Sequence, residues 1–137
     1  MRFFIDTNII ISAALFPDGK TASVFSYLLE SHEIILSDYV LKECTLVFER
    51  KFPGKTESLK SFLGKFDYEL FITPKNINAN KYPKIRDPKD LPILVSAILS
   101  DADILLTGDE DFRHIDIKKP LIFTPTDYFE FINKDIS

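Results

Sequence analysis

The run Phe3-Phe4-Ile5-Asp6-Thr7-Asn8-Ile9-Ile10-Ile11-Ser12-Ala13 decides the fold. Three apolar residues lead into an acid, and a second apolar run follows two polar residues later. The first run reads as a buried strand, continuous rather than alternating, as happens when helices cover both faces of a sheet. Asp6 then falls where the strand ends. In open parallel sheets the crevice beyond the carboxyl ends of the strands is where ligands bind. A buried carboxylate there is costly unless a cation, donors or water compensate it. The competing reading is local: Asp6 caps the helix that follows by accepting a backbone N–H.

Working outward, the chain alternates strand and helix. Phe3 to Ile5 reads as strand one and Ile9 to Leu15 as a helix stopped by Pro17-Asp18-Gly19. Thr21 to Glu30 is a second helix, with Val24, Phe25, Leu28 and Leu29 on one face. Glu33 to Leu36 is strand two, and Ser37 caps a third helix running to about Arg50. Pro53-Gly54 ends it, and Lys55 to Phe66 is a fourth helix. Glu69 to Ile72 is strand three. Thr73 to Arg86 carries two prolines and three asparagines and reads as a loop. Leu91 to Ser100 is a strongly apolar fifth helix, Ile104 to Leu106 strand four and Leu121 to Phe123 strand five. Thr124-Pro125-Thr126-Asp127 opens the last helix with a hydroxyl cap, proline first and an acid third. Strands separated by helices require parallel pairing with crossovers. The expected fold is therefore a three-layer α/β/α domain with a central parallel sheet of about five strands. Periodicity leaves the strand order open.

Composition supports one soluble globular domain over residues 1–137: 45% of residues are apolar and 28% charged. A chain of this length buries roughly two-thirds of its unfolded surface. Its apolar runs fall short of the roughly 20 residues a membrane span needs. Asp6 and Asn8 interrupt the pattern of a signal peptide. A single cysteine, Cys44, excludes an internal disulfide and a cysteine-rich zinc site, and fits a reducing cytoplasm. His32 and His114 stand alone and read as surface or packing residues. Net charge is −4, unlike a typical nucleic-acid binder. Its distribution is uneven, however. Lys42 to Lys89 holds eleven bases against six acids, and the remainder six bases against fifteen acids. The middle can grip a phosphate backbone while the ends supply carboxylates. Arg50, Lys51, Lys84, Arg86 and Lys89 are the candidates, and the alternative is that they are solvated helix faces.

Four acids stand out. Asp109 follows Ile104-Leu105-Leu106-Thr107-Gly108 and repeats the Asp6 pattern, with Gly108 expected to permit a tight turn. If strands one and four are neighbours, both carboxylates enter one crevice. Asp111 either joins them or caps the segment from Glu110 to Arg113. Glu43 lies at the edge of the stripe Val40, Cys44, Val47 and Phe48, half-buried. Its local alternative is a boundary glutamate whose head reaches water. Asp90 sits at the start of the apolar fifth helix, within Asp87-Pro88-Lys89-Asp90, where capping competes with any other role. Acids gathered at one mouth repel one another, and hard divalent cations such as Mg²⁺ or Mn²⁺ resolve this with oxygen ligands. Such a site suits phosphate-ester hydrolysis.

Phe4-Ile5-Asp6-Thr7-Asn8-Ile9-Ile10-Ile11-Ser12-Ala13 resembles the opening motif of the PIN domain. Glu43, Asp87-Pro88-Lys89-Asp90 and Leu105-Leu106-Thr107-Gly108-Asp109-Glu110-Asp111-Phe112 resemble its later motifs, in order, and the likeness runs from Arg2 to about Asp127. The subgroup most similar is the prokaryotic PIN toxins of toxin–antitoxin pairs. The resemblance implies strands one and four side by side and a metal-dependent ribonuclease. Asp6, Glu43, Asp90 and Asp109 match its acidic cluster, and Asn8 and Thr107 its polar helpers. It also implies RNA as substrate and a cognate antitoxin and a homodimer as possible partners, while the single cysteine and the short apolar runs point to a cytoplasmic protein rather than a membrane one. Two rival functions remain. An aspartate-nucleophile phosphatase also places Asp after strand one, although it usually has a second acid where this chain has Asn8. A catalytically idle module would use the same cleft to bind RNA or a protein.

Overall fold

A computed structural model describes residues 1–136, with side chains through residue 133. The chain runs β1 (Arg2–Ile5), α1 (Thr7–Leu15), α2 (Lys20–Ser31), β2 (Glu33–Ser37), α3 (Asp38–Lys51), α4 (Thr56–Leu63) and β3 (Glu69–Phe71). It continues through α5 (Leu91–Leu99), β4 (Ile104–Leu106), β5 (Leu121–Phe123) and α6 (Pro125–Ile136). The five strands form one parallel sheet in the order β3-β2-β1-β4-β5. Successive residues of a strand point to opposite faces. Phe3, Phe4 and Ile5 are all fully buried, as are Ile35 and Leu36 in β2 and Leu105 and Leu106 in β4. Both faces of the central strands are therefore covered, which makes the domain three-layered. The edge strands β3 and β5 leave Leu70 and Leu121 half exposed.

This order explains where a site can form. From β1 the chain steps outward to β2 and β3. It then crosses back to β4, on the other flank of β1, and on to β5. The connections leaving β1 and β4 thus diverge, and a crevice opens at the carboxyl ends between them. The two strands pair with Ile5 opposite Leu106. The residues that follow, Asp6 and Thr107, emerge side by side at its floor.

The local signals account for most boundaries. Ser37 caps α3 by accepting from the Val40 N–H at 3.1 Å. Arg50 and Lys51 occupy the last turn of α3, where cations favour the helix dipole. Four expectations need correction. α1 begins at Thr7 rather than Ile9, because Asp6 caps it directly. α4 ends at Leu63 rather than Phe66: Gly64 terminates it, its N–H bonding the Lys60 carbonyl. Phe66 still packs edge-on to Phe25 from outside the helix. Ile72 lies outside β3 and is exposed. Gly108 has no positive φ, and a Cβ there would meet Asn8 at an ordinary 3.7 Å. Its turn does not require glycine.

Candidate metal centre

Asp6 performs both roles that its position allowed. It caps α1, its Oδ1 accepting from the Thr7 N–H at 2.7 Å, and it also stands in the crevice. Its Oδ2 accepts from the Thr107 hydroxyl at 2.6 Å. The Thr107 oxygen in turn accepts from the Asp109 N–H at 3.0 Å, so its proton is committed to Asp6. Asp6 is only 4% exposed. Burial pushes its carboxyl up to about 6; the two threonine donors oppose this, and the charges of Glu43 and Asp109 add to it. Capping alone would have left a solvated acid in its ordinary range.

Asp109 closes a short 3₁₀ turn (Glu110–Phe112), its Oδ1 accepting from the Asp111 N–H at 2.9 Å. That bond decides between the alternatives for Asp111. Asp109 does the capping, and Asp111 turns toward the crevice. Asp90 arrives from the opposite side. Asp87 caps a 3₁₀ turn over Pro88–Asp90 by accepting from the Lys89 N–H at 3.0 Å. The Tyr39 hydroxyl, at the start of α3, donates to the Lys89 carbonyl at 3.1 Å. With Asp87 as cap, the Asp90 carboxylate makes no capping bond. One carboxylate oxygen from each of Asp90, Asp109 and Asp111 lies within 4.8 Å of the others. Burial pushes the Asp90 carboxyl up to about 7, reinforced by the charges of Asp109, Asp6, Asp87 and Asp111. Among the described residues the cation at this cluster is Arg86, highly exposed, with Nη1 3.5 Å from Asp111 Oδ1.

Glu43 stands half-buried on α3, outside that triplet. The Thr7 hydroxyl donates to its Oε1 at 2.7 Å. Its neighbour Cys44 is fully buried, and desolvation beside Glu43 and Asp6 pushes the thiol up to about 12, so it is an inert packing group. Asn8 bonds backbone rather than a carboxylate. Its Oδ1 accepts from the Gly108 N–H at 3.2 Å, which ties α1 to the backbone that carries Asp109.

The donor set fits a hard divalent cation. Every candidate atom is a carboxylate oxygen, the ligand type that Mg²⁺ and Mn²⁺ take. With metal–oxygen distances of about 2.1 Å, ligands of an octahedral ion lie about 3.0 Å apart when adjacent and about 4.2 Å when opposite, so the three oxygens would draw inward around the ion. Burial and then the neighbouring acids both disfavour the charged form of Asp90, and a divalent cation would offset both.

The basic candidates divide into two groups. Lys84, Arg86 and Lys89 are exposed on the segment that leads into Asp90. Arg50 and Lys51 lie at the other end of α3, about 10 Å along the axis from Glu43. Sequence reasoning missed Thr7 as a partner of Glu43. Its bond spans 36 positions, so no local pattern carries it. It also missed Tyr39, which fastens the loop before Asp90 through a contact 50 positions away.

The PIN domain family matches residues 2–111, from the first strand to the last acid of the cluster. The chain belongs to that family. The uncharacterized protein MJ1680 of Methanocaldococcus jannaschii is 29% identical over 154 aligned positions, covering 100% of this chain and 95% of the relative. This PIN domain also shares its fold with solved structures. A chain of VapBC2 from Rickettsia felis, solved bound to a DNA fragment from its promoter, superimposes with a TM-score of 0.67 at 20% identity. That match covers 90% of this chain and 98% of the other. A domain of a functionally unknown Methanocaldococcus jannaschii protein follows at a TM-score of 0.55 and 16% identity, covering 90% and 89%.

Proposed function

We propose that this PIN domain is a Mg²⁺- or Mn²⁺-dependent endoribonuclease, acting in the cytoplasm as the toxin of a toxin–antitoxin pair. The observation that carries the reading is the meeting of Asp90, Asp109 and Asp111, from two distant parts of the chain, near enough to the buried Asp6 for charge to act between it and both Asp90 and Asp109. Asp6, Asp90, Asp109 and Asp111 hold the cation, and Glu43 completes the site as a ligand or by orienting the attacking water. Thr107 locks Asp6, and Asn8 braces the turn that carries Asp109. Once bound, a divalent cation acidifies the attacking water and offsets charge on the phosphate. Lys84, Arg86 and Lys89 lie beside the mouth and are cast as phosphate contacts that position RNA. Arg50 and Lys51 extend that contact away from it.

Asp6 is poorly arranged as a phosphatase nucleophile. It is only 4% exposed, too little for in-line attack on a phosphate ester, and Asn8 stands where such enzymes usually carry a second acid. The toxin role draws support from the sequence resemblance and from the fold shared with a VapBC2 chain. An antitoxin would be a small protein that covers the acidic mouth, and a homodimer is the expected assembly.

Cleavage of a mixed RNA substrate is the test. Wild type is expected to cut RNA with Mn²⁺ and to stop with excess chelator. Asp6→Asn is expected to lose at least about 100-fold in rate. Equal cleavage by the two proteins would overturn the assignment. Tight RNA binding with no cleavage in saturating Mn²⁺ would replace it with a binding module.

A further inference from the structure

Two threonines sit at the ends of the two central strands, and they share the work unequally. Thr107 donates to one carboxylate, that of Asp6, while its oxygen accepts from the Asp109 backbone N–H. Thr7 serves two acids at once. Its backbone N–H is bonded to Asp6 Oδ1, and its hydroxyl donates to Glu43 Oε1. The acids Asp109, Asp6 and Glu43 are thereby strung on one line of hydrogen bonds, from the Asp109 N–H through Thr107 and Asp6 to Thr7 and Glu43. Among the described residues the Thr7 hydroxyl is the side-chain hydrogen-bond partner of Glu43, and no cation stands within 4 Å of its carboxylate. Its long side chain, in a half-buried position, would otherwise sample several rotamers, and some of these carry the charge out toward water.

We propose that Thr7 is a positioning residue that fixes the Glu43 carboxylate at the acidic mouth, so that Glu43 contributes to cation affinity only while the Thr7 hydroxyl holds it. This rests on the metal-site reading above and adds to it a residue that touches neither cation nor substrate. With one Glu43 oxygen occupied by the hydroxyl, the other is left to face a cation or its water.

The test is Mn²⁺ binding to the metal-free protein, followed by the electron paramagnetic resonance signal of free Mn²⁺. It needs no RNA and no turnover. Outer-sphere partners of metal ligands typically contribute about 10–100-fold to affinity. Thr7→Val keeps the shape and removes the hydroxyl, and it is expected to weaken Mn²⁺ binding about 10-fold. Thr7→Ser restores the donor and is expected to bind within about threefold of wild type. In a Glu43→Gln background, Thr7→Val is expected to change affinity by less than about twofold, because its effect passes through Glu43. Circular dichroism melts confirm that each variant is folded before it is titrated.

Three results overturn the proposal: wild-type affinity in Thr7→Val, equal losses in Val and Ser, or a full 10-fold loss that persists in the Glu43→Gln background. The last would mean that Thr7 acts on Asp6 or on the start of α1. Wild type that binds no Mn²⁺ defeats the metal-site reading itself, and the proposal with it. Wild type that binds Mn²⁺ while Thr7→Val binds equally well defeats the proposal alone.

Discussion

The two ends of the sheet both gather acids, and they treat them in opposite ways. At the amino ends of the strands, Arg2 bonds Glu33 and Glu69 and also the carbonyls of Ser100 and Asp101. Its backbone N–H donates to Asp103, and Lys119 pairs with Asp101 and Asp103. Each of those four acids is paired with a cation, Arg2 serving the two glutamates and Lys119 the two aspartates. At the carboxyl ends, Asp6, Glu43, Asp90, Asp109 and Asp111 converge, and Arg86 at the rim is the cation that meets them among the described residues. The Asp101 carboxyl is accordingly held below its usual range by Lys119, whereas Asp90 is pushed up to about 7. Clusters of acids are therefore uninformative until their counter-charges are counted. One end of this sheet is a brace of paired charges, and the other gathers carboxylates that lie close to one another.

The largest break in that contrast should come from pH and metal acting together. Asp6 and Asp90 titrate near 6 and 7 in the folded, metal-free protein and near 3.9 when unfolded. Between those values the folded state holds more protons, so these two groups favour folding fully below about pH 4 and lose that contribution as pH rises to about 7. Metal-free protein is expected to melt at a lower temperature at pH 7.5 than at pH 5.5, and saturating Mn²⁺ should reverse the loss. Asp90→Asn removes one of the crowded charges. It is expected to raise the metal-free melting temperature at pH 7.5 by a few degrees, about 1 kcal/mol after allowance for solvent screening, while weakening Mn²⁺ binding at least about 10-fold. Because other groups titrate in this range, the difference between wild type and Asp90→Asn is the quantity to measure. A metal-free Asp90→Asn protein less stable than wild type at pH 7.5 would show that the mouth is not under charge strain.

A change at the opposite end sharpens the comparison. Arg2→Ala strands Glu33 and Glu69 and exposes two carbonyls to water. The expected cost is about 1–2 kcal/mol by denaturant melts, with Mn²⁺ affinity unchanged. A loss of metal binding there would mean that the two ends are coupled through the sheet. The smallest effect is expected at Gly108→Ala. A methyl group meets only the Asn8 side chain at contact distance, so stability should move by less than about 0.5 kcal/mol. A larger loss would show that the turn before Asp109 does need glycine.

Much of this molecule was readable along the chain because its signals are local. Strands four and five fall on the residues expected, since each is an unbroken apolar run between turns, although only β4 is buried on both faces. Ser37 and Pro125 mark helix starts through groups within a single turn. The errors also have local causes. Thr7 and Asn8 are poor helix formers, so α1 was expected to start after them, yet the Asp6 cap brings them inside. The pattern of Leu59, Phe62, Leu63 and Phe66 runs on past Gly64, so apolar spacing masked the helix end.

By itself, the sequence determined the element types, the α/β class, and which acids stand just beyond strand or helix ends. Those properties depend on neighbours a few positions away. Only the tertiary structure decided that Asp111 joins Asp90 and Asp109, that Asp87 takes over the capping that would have occupied Asp90, and that Thr7 holds Glu43. Each of these rests on which strand lies beside β1 and on bonds between distant residues. Parallel pairing is set by how crossover connections pack, and no periodicity in the chain encodes that.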